Sequence, residues 1–158
     1  MKNVVISVPH SGTRTLMEHT GIYAKEQELW GAGEWWHFGN DDWYGNLLRK
    51  HKPFAHIPIR HPHDVARSWA SRPKTGDAIS NMVNCYEDMF DYLEKHDAQL
   101  YRVEDLPRLA GTGEHKEGDH SARITEFINA VDEKVIEPHR DFFAKYYEDL
   151  CLSTPIQT

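Results

Sequence analysis

Apolar residues along this chain fall into short β-branched runs that alternate with longer stretches of helical spacing. The first run, Val4-Val5-Ile6-Ser7-Val8, is bounded by Pro9 and Gly12, and its length and branching predict a buried strand. Ser11-Gly12-Thr13 follows, then a helix-compatible stretch from Arg14 to Thr20 closed by Gly21. Glu34-Trp35-Trp36-His37-Phe38, ended by Gly39-Asn40, reads as a second strand. Asp41-Asp42 stand where capping carboxylates belong, ahead of a helix reaching Lys50. Phe54 to Arg60 is a third strand, although Pro58 within it lacks a ladder donor. Pro62 suits the first turn of a helix running to Ser71.

Beyond that point the helical period is clearest. Ile79, Met82, Val83, Tyr86, Phe90 and Leu93 line one face of an amphipathic helix. Gln99 to Val103 predicts a fourth strand, and Gly111 to Gly118 a polar loop. Ile124, Phe127, Ile128 and Val131 mark another helix; Phe142, Phe143, Tyr146, Tyr147 and Leu150 mark a last one, with a frayed tail from Ser153. Strands alternating with helices predict an α/β domain: three layers, α/β/α, around a mainly parallel four-stranded sheet.

Composition narrows the class. The 158 residues suit one domain, spanning 1–158, and 39% hydrophobic with 27% charged residues is a globular balance. The formal net charge of −7 argues against tracking a nucleic-acid backbone, so any anion must be held by a local site. Two cysteines, Cys85 and Cys151, make neither a disulfide framework nor a zinc knuckle, which points to a reduced, cytoplasmic setting. The apolar run at the N-terminus is too short for a membrane span, so no membrane partner is expected.

Two constellations carry chemistry. A glycine-bearing turn between a strand and a helix start is an anion cradle: the first helical N–H groups lack intrahelical partners, and the helix dipole adds positive charge. Gly12 allows close backbone approach, Ser11, Thr13 and Thr15 add hydroxyls, and Arg14 adds a cation. The Gly-Lys-Ser/Thr ending of a Walker A loop is absent. The plain alternative is a simple helix cap. The second constellation is Arg60, at the carboxyl end of the third strand where α/β ligands sit, with Ser68 two helical turns on. A guanidinium there can grip a phosphate bidentately. The plain alternative pairs Arg60 with Asp64 and leaves Ser68 to solvent.

Together the constellations resemble the sulfotransferase family, which uses 3′-phosphoadenosine 5′-phosphosulfate (PAPS) on a P-loop NTPase-like fold. Val5 to Thr13 is similar to the family's 5′-phosphosulfate loop, Pro-Lys/Arg-Ser-Gly-Thr. Ile59 to Trp69 is similar to its 3′-phosphate motif, Arg-Asp-Pro-x-Asp-Val-x-x-Ser, and Tyr101 to Leu106 to its Tyr-Glu-Asp-Leu strand end. His10 stands in place of the family's lysine or arginine, Thr15 in place of an aromatic residue, and Val103 in place of a tyrosine. The resemblance spans about Val4 to Leu106. It implies metal-free sulfonate transfer from PAPS to a hydroxyl or amine of a small molecule or glycan. His10, Ser11, Gly12, Thr13, Arg14, Thr15, Arg60 and Ser68 would hold the donor. His37, near the end of the second strand, is the first candidate for general base and Glu34 the second, with His10 facing the sulfonate. Trp35, Trp36, Trp43 and Tyr44 would line an acceptor pocket, pack the core, or form the surface of a homo-oligomer.

Two other readings stand beside it. One is a P-loop nucleotide or small-molecule kinase using magnesium and ATP. The other is a module that binds 3′-phosphoadenosine 5′-phosphate (PAP) or PAPS without turnover. His61-x-His63 has no third ligand at a familiar metal spacing, and Glu104-Asp105 suits a helix cap better than a magnesium site.

Overall fold

The computed structural model describes residues 2–23, 37–39, 50–71, 77–107 and 121–151. The expected elements at Glu34 to Trp36 and Asp41 to Arg49, the loop from Gly111 to Gly118 and the tail from Ser153 lie outside the described residues, as do Glu34, Trp35, Trp36, Trp43 and Tyr44.

Among the described residues three parallel strands form the sheet, in the order β1 (Asn3–Val5), β2 (Phe54–Ile59), β3 (Ala98–Arg102). An isolated parallel bridge joins Ser7 to His37 on the other side of β1, with the Phe38 N–H donating to the Ser7 carbonyl at 2.9 Å. The chain therefore leaves β1 towards one side, reaches His37, and crosses back to β2 on the other. That reversal makes the β1–β2 boundary a topological switch point, where loops depart in opposite directions and leave a crevice.

Pro58 contributes to that crevice. Phe54 N–H and His56 carbonyl bond the β1 side, so residue 58 faces the same way. Proline offers no N–H there, and the β1–β2 ladder ends at Val5 and His56. On the opposite side β2 continues to pair with β3 up to Ile59 and Arg102.

Helices cover both faces. Val5 packs with Leu16 and Met17 of α1 (Thr13–Thr20) in a small cluster flanked by Ile22, Tyr101 and Leu106. Val4, Ile6, Ala55, Ile57 and Ile59 point the other way. They meet α2 (Pro62–Ser71), α3 (Ala78–Lys95), α4 (Ser121–Val131) and α5 (Arg140–Ala144) in the main core. Asp77 caps α3 by accepting from the Ser80 N–H at 3.0 Å, and its apolar stripe buries Met82, Val83 and Met89. Each such fully buried apolar side chain contributes roughly 1.5–3 kcal/mol.

The last helix departs from expectation. After α4 the chain widens into a π turn over Asp132–Ile136, immediately before Pro138, whose missing N–H interrupts the regular ladder. The apolar stretch from Phe142 to Leu150 is not one helix. It divides into α5 and a 3₁₀ turn at Glu148–Leu150, with Tyr147 in an extended conformation between them. No helix of the described residues is long and apolar enough to cross a membrane.

Candidate functional site

The loop from Val8 to Gly12 folds across the carboxyl ends of β1 and β2. Two residues take left-handed backbone conformations there, His10 at φ 73° and Gly12 at φ 94°. For a histidine this conformation costs about 1–2 kcal/mol, so neighbouring contacts must hold it. Arg60 Nη1–H donates to the His10 carbonyl at 3.0 Å, and Ser68 Oγ lies 3.1 Å from His10 Nδ1. Trp69 Nε1–H donates to the Pro9 carbonyl at 3.1 Å, and its ring packs edge-on against His10. Arg60 and Ser68, read separately from the loop in the sequence, thus meet it directly. Arg60 does not pair with Asp64, which takes Arg67 at 2.9 Å, and Ser68 is buried rather than facing solvent.

Gly12 opens α1 without a side-chain cap. Among the described residues nothing accepts from the N–H groups of Thr13, Arg14 and Thr15; the first helical bond runs from Leu16 N–H to the Gly12 carbonyl at 3.0 Å. Those three donors, with the dipole behind them, face the mouth of the loop. Thr13 turns its hydroxyl back onto Ser7, Oγ to Oγ1 2.6 Å, which ties the helix start to the strand end. Gly12 is required for space as well as for φ: a Cβ there would collide with the Val103 side chain.

The buried polar side chains among the described residues are Ser7, Ser11, Thr13, Thr15 and Ser68. All five lie at the end of the first strand, in this loop, at the start of α1, or on the facing turn of α2. Hydroxyls concentrated in one place of an otherwise apolar interior mark a polar site, since each costs free energy to bury without a partner. Arg14 is exposed at its rim. His37 is half-buried and lies one strand over, its backbone bridged to Ser7.

Below Arg60 a narrow crevice is lined by Ser11, Arg60, Tyr86, Met89 and Phe143. Tyr86 was legible only as a core position of α3, since a tyrosine at helical spacing gives no other signal. Desolvation pushes the pKa of its hydroxyl far up, against the opposing charge of Arg60, so it stays a neutral donor at any ordinary pH.

Next to the crevice, Glu104 closes the start of α2. Its Oε2 accepts from the His61 N–H at 2.8 Å and its Oε1 from the Tyr147 hydroxyl at 2.9 Å. This is a capping role, served to α2 rather than to its own segment. Burial, then the charge of and hydrogen bond to Glu104, push the Tyr147 hydroxyl pKa up. His61 Nε2 meets Asp149 at 2.8 Å, and His63 Nε2 meets Asp132 at 2.6 Å. The two histidines are thereby committed to carboxylates of the C-terminal segment.

Comparison with family models, curated proteins and solved structures gives no match.

Proposed function

We propose that this chain is a sulfotransferase that takes sulfonate from PAPS and delivers it to a hydroxyl or amine of a small molecule or glycan. The observation that carries the reading is the meeting of Arg60 and Ser68 with the His10–Gly12 loop at the switch-point crevice. Two segments 50 residues or more apart, each resembling one half of a donor site, come together on one anion cradle.

The residues suit such a donor. The N–H groups of Thr13, Arg14 and Thr15 and the hydroxyl of Ser11 would hold the 5′ end, and Arg60 and Ser68 the 3′-phosphate. When bound, the donor supplies the sulfonate and leaves as PAP. The protein's work is positioning and charge stabilisation. His37, beside Ser7, takes the proton of the acceptor group as general base, with Glu34 as the second candidate. His10 faces the transferring group and steadies its charge when protonated.

A binding module without turnover is the second reading. The observation that favours it is that His10, standing where the resemblance expects lysine or arginine, is engaged by Ser68 through its ring.

Calorimetric titration with PAP, against ATP plus magnesium, tests the donor class. Binding of PAP that Arg60→Ala weakens about 30-fold is the expected result; preference for ATP with magnesium would move the chain to the kinases. His37→Ala separates enzyme from module: sulfonate transfer from PAPS to an acceptor panel should vanish while PAP binding stays.

A further inference from the structure

Tyr86 is 97% buried, being 3% exposed, and its hydroxyl has no hydrogen-bond partner among the described residues. A phenol buried this way carries a desolvation cost that a phenylalanine would not. The group does not lie at random in the core. It lines the same crevice as Ser11 and Arg60, and the Arg60 charge acts on it. Apart from Ser11 and Arg60, its walls are the apolar Pro58, Ile59, Met89 and Phe143.

We infer that the Tyr86 hydroxyl is a donor of the oxyanion site, reaching one oxygen of the phosphate that Arg60 holds. In the free protein the crevice is too tight for a water molecule, so its walls part to admit one oxygen on binding. Tyr86 is then a binding residue contributed by α3, and the cost of its unsatisfied hydroxyl is relieved on binding. The inference rests on the anion-cradle part of the proposed function and not on the adenosine or the sulfonate.

The test compares wild type and Tyr86→Phe by thermal melting and by titration with inorganic pyrophosphate, sulfate and PAP. Tyr86→Phe removes only the hydroxyl, so the free protein should melt at the same or a higher temperature. Its affinity for every oxyanion that wild type binds should fall about tenfold, the scale of one hydrogen bond to a charged acceptor. Equal affinity in the two proteins overturns the inference while leaving the donor reading intact. A melting temperature several degrees lower also overturns it, because the hydroxyl would then have a partner without ligand. Inorganic oxyanions bound through Tyr86, with no preference for PAP, sink the sulfotransferase reading and keep this one. No oxyanion bound by wild type sinks both.

Discussion

Two helices begin at the same edge of the sheet, and they begin differently. At α2 every early donor has an acceptor: His61 N–H goes to Glu104, Pro62 has none to offer, His63 N–H goes to His61 Nδ1, and Asp64 N–H to the His61 carbonyl. Asp64 adds a carboxylate to the first turn. At α1 the cap is Gly12, no side chain accepts, and no carboxylate stands in the first turn. A helix start closed by the protein's own acid has no use for an outside anion. One left open beside an arginine suits the anion that the proposed function places there. The difference favours α1 as the proposed cradle, and Arg60, at the boundary between the two starts, bonds the His10 carbonyl of its loop.

The largest effect expected from breaking this arrangement comes at the open terminus. Gly12→Ala forces a left-handed alanine and drives its Cβ into Val103. It should cost roughly 2–5 kcal/mol in urea unfolding, from the backbone conformation and the overpacking together. Adding Val103→Ala should recover the overpacking share only, which a double-mutant cycle reads directly.

Arg60→Ala keeps α1 open but removes its partner across the crevice. The affinity for PAP should fall by about 30-fold, from the loss of roughly 2 kcal/mol of charge-assisted bonding. Unfolding free energy should drop by less, about 1 kcal/mol, for the bond to the His10 carbonyl.

Opening the closed terminus gives the complementary result. Glu104→Ala strands both the His61 N–H and the Tyr147 hydroxyl, and should destabilise the fold by about 1–2 kcal/mol in urea titration. Calorimetry should meanwhile show PAP affinity within about threefold of wild type, a change well under 1 kcal/mol, because the cradle at α1 is untouched. A large loss of affinity would mean that the two starts act as one site.

The smallest effect is set by acid. Desolvation pulls the Asp149 carboxyl up, but the hydrogen bond and charge of His61, with His63 and a backbone N–H, outweigh it and hold the group below its ordinary 3.8. Its folded pKa lies below its unfolded one, so the native state binds fewer protons. The stability it contributes is present above about pH 4 and is lost as pH falls through the folded value. Asp149→Asn should therefore lower the unfolding free energy by a constant amount near neutrality, and its gap to wild type should close as pH falls below about 4 in urea titrations run across that range. The open terminus has no carboxylate in its first turn to respond in this way.

Much of this was legible in the sequence, for local reasons. Arg14 to Thr20, Pro62 to Ser71 and the stripe from Ile79 to Leu93 fall inside α1, α2 and α3, because turn residues, Pro62 and a helical apolar period act within a few residues of one another. The loop, Arg60 and Ser68 were legible as candidates, and the structure adds that they touch. What sequence could not carry is long-range. The aromatic spacing from Phe142 to Leu150 fits one helix as well as it fits the observed break, and the Tyr147 bond to Glu104, 43 residues away, belongs only to the broken form. Glu104 reads as a cap, yet nothing near it names α2 as its target. Tyr86 reads as core because periodicity records which face a residue is on, not whether its hydroxyl finds a partner.

The central claim is that α1 and Arg60 together hold a 3′-phosphorylated adenosine donor. Phosphorus NMR of PAP added to the protein addresses it most directly, because the 3′ and 5′ phosphates give separate resonances. Both should shift on binding in wild type; Arg60→Ala should return the 3′ resonance to its free position, and Glu104→Ala should not. Resonances that stay at their free positions with wild-type protein, or a 3′ shift indifferent to Arg60, would contradict the account.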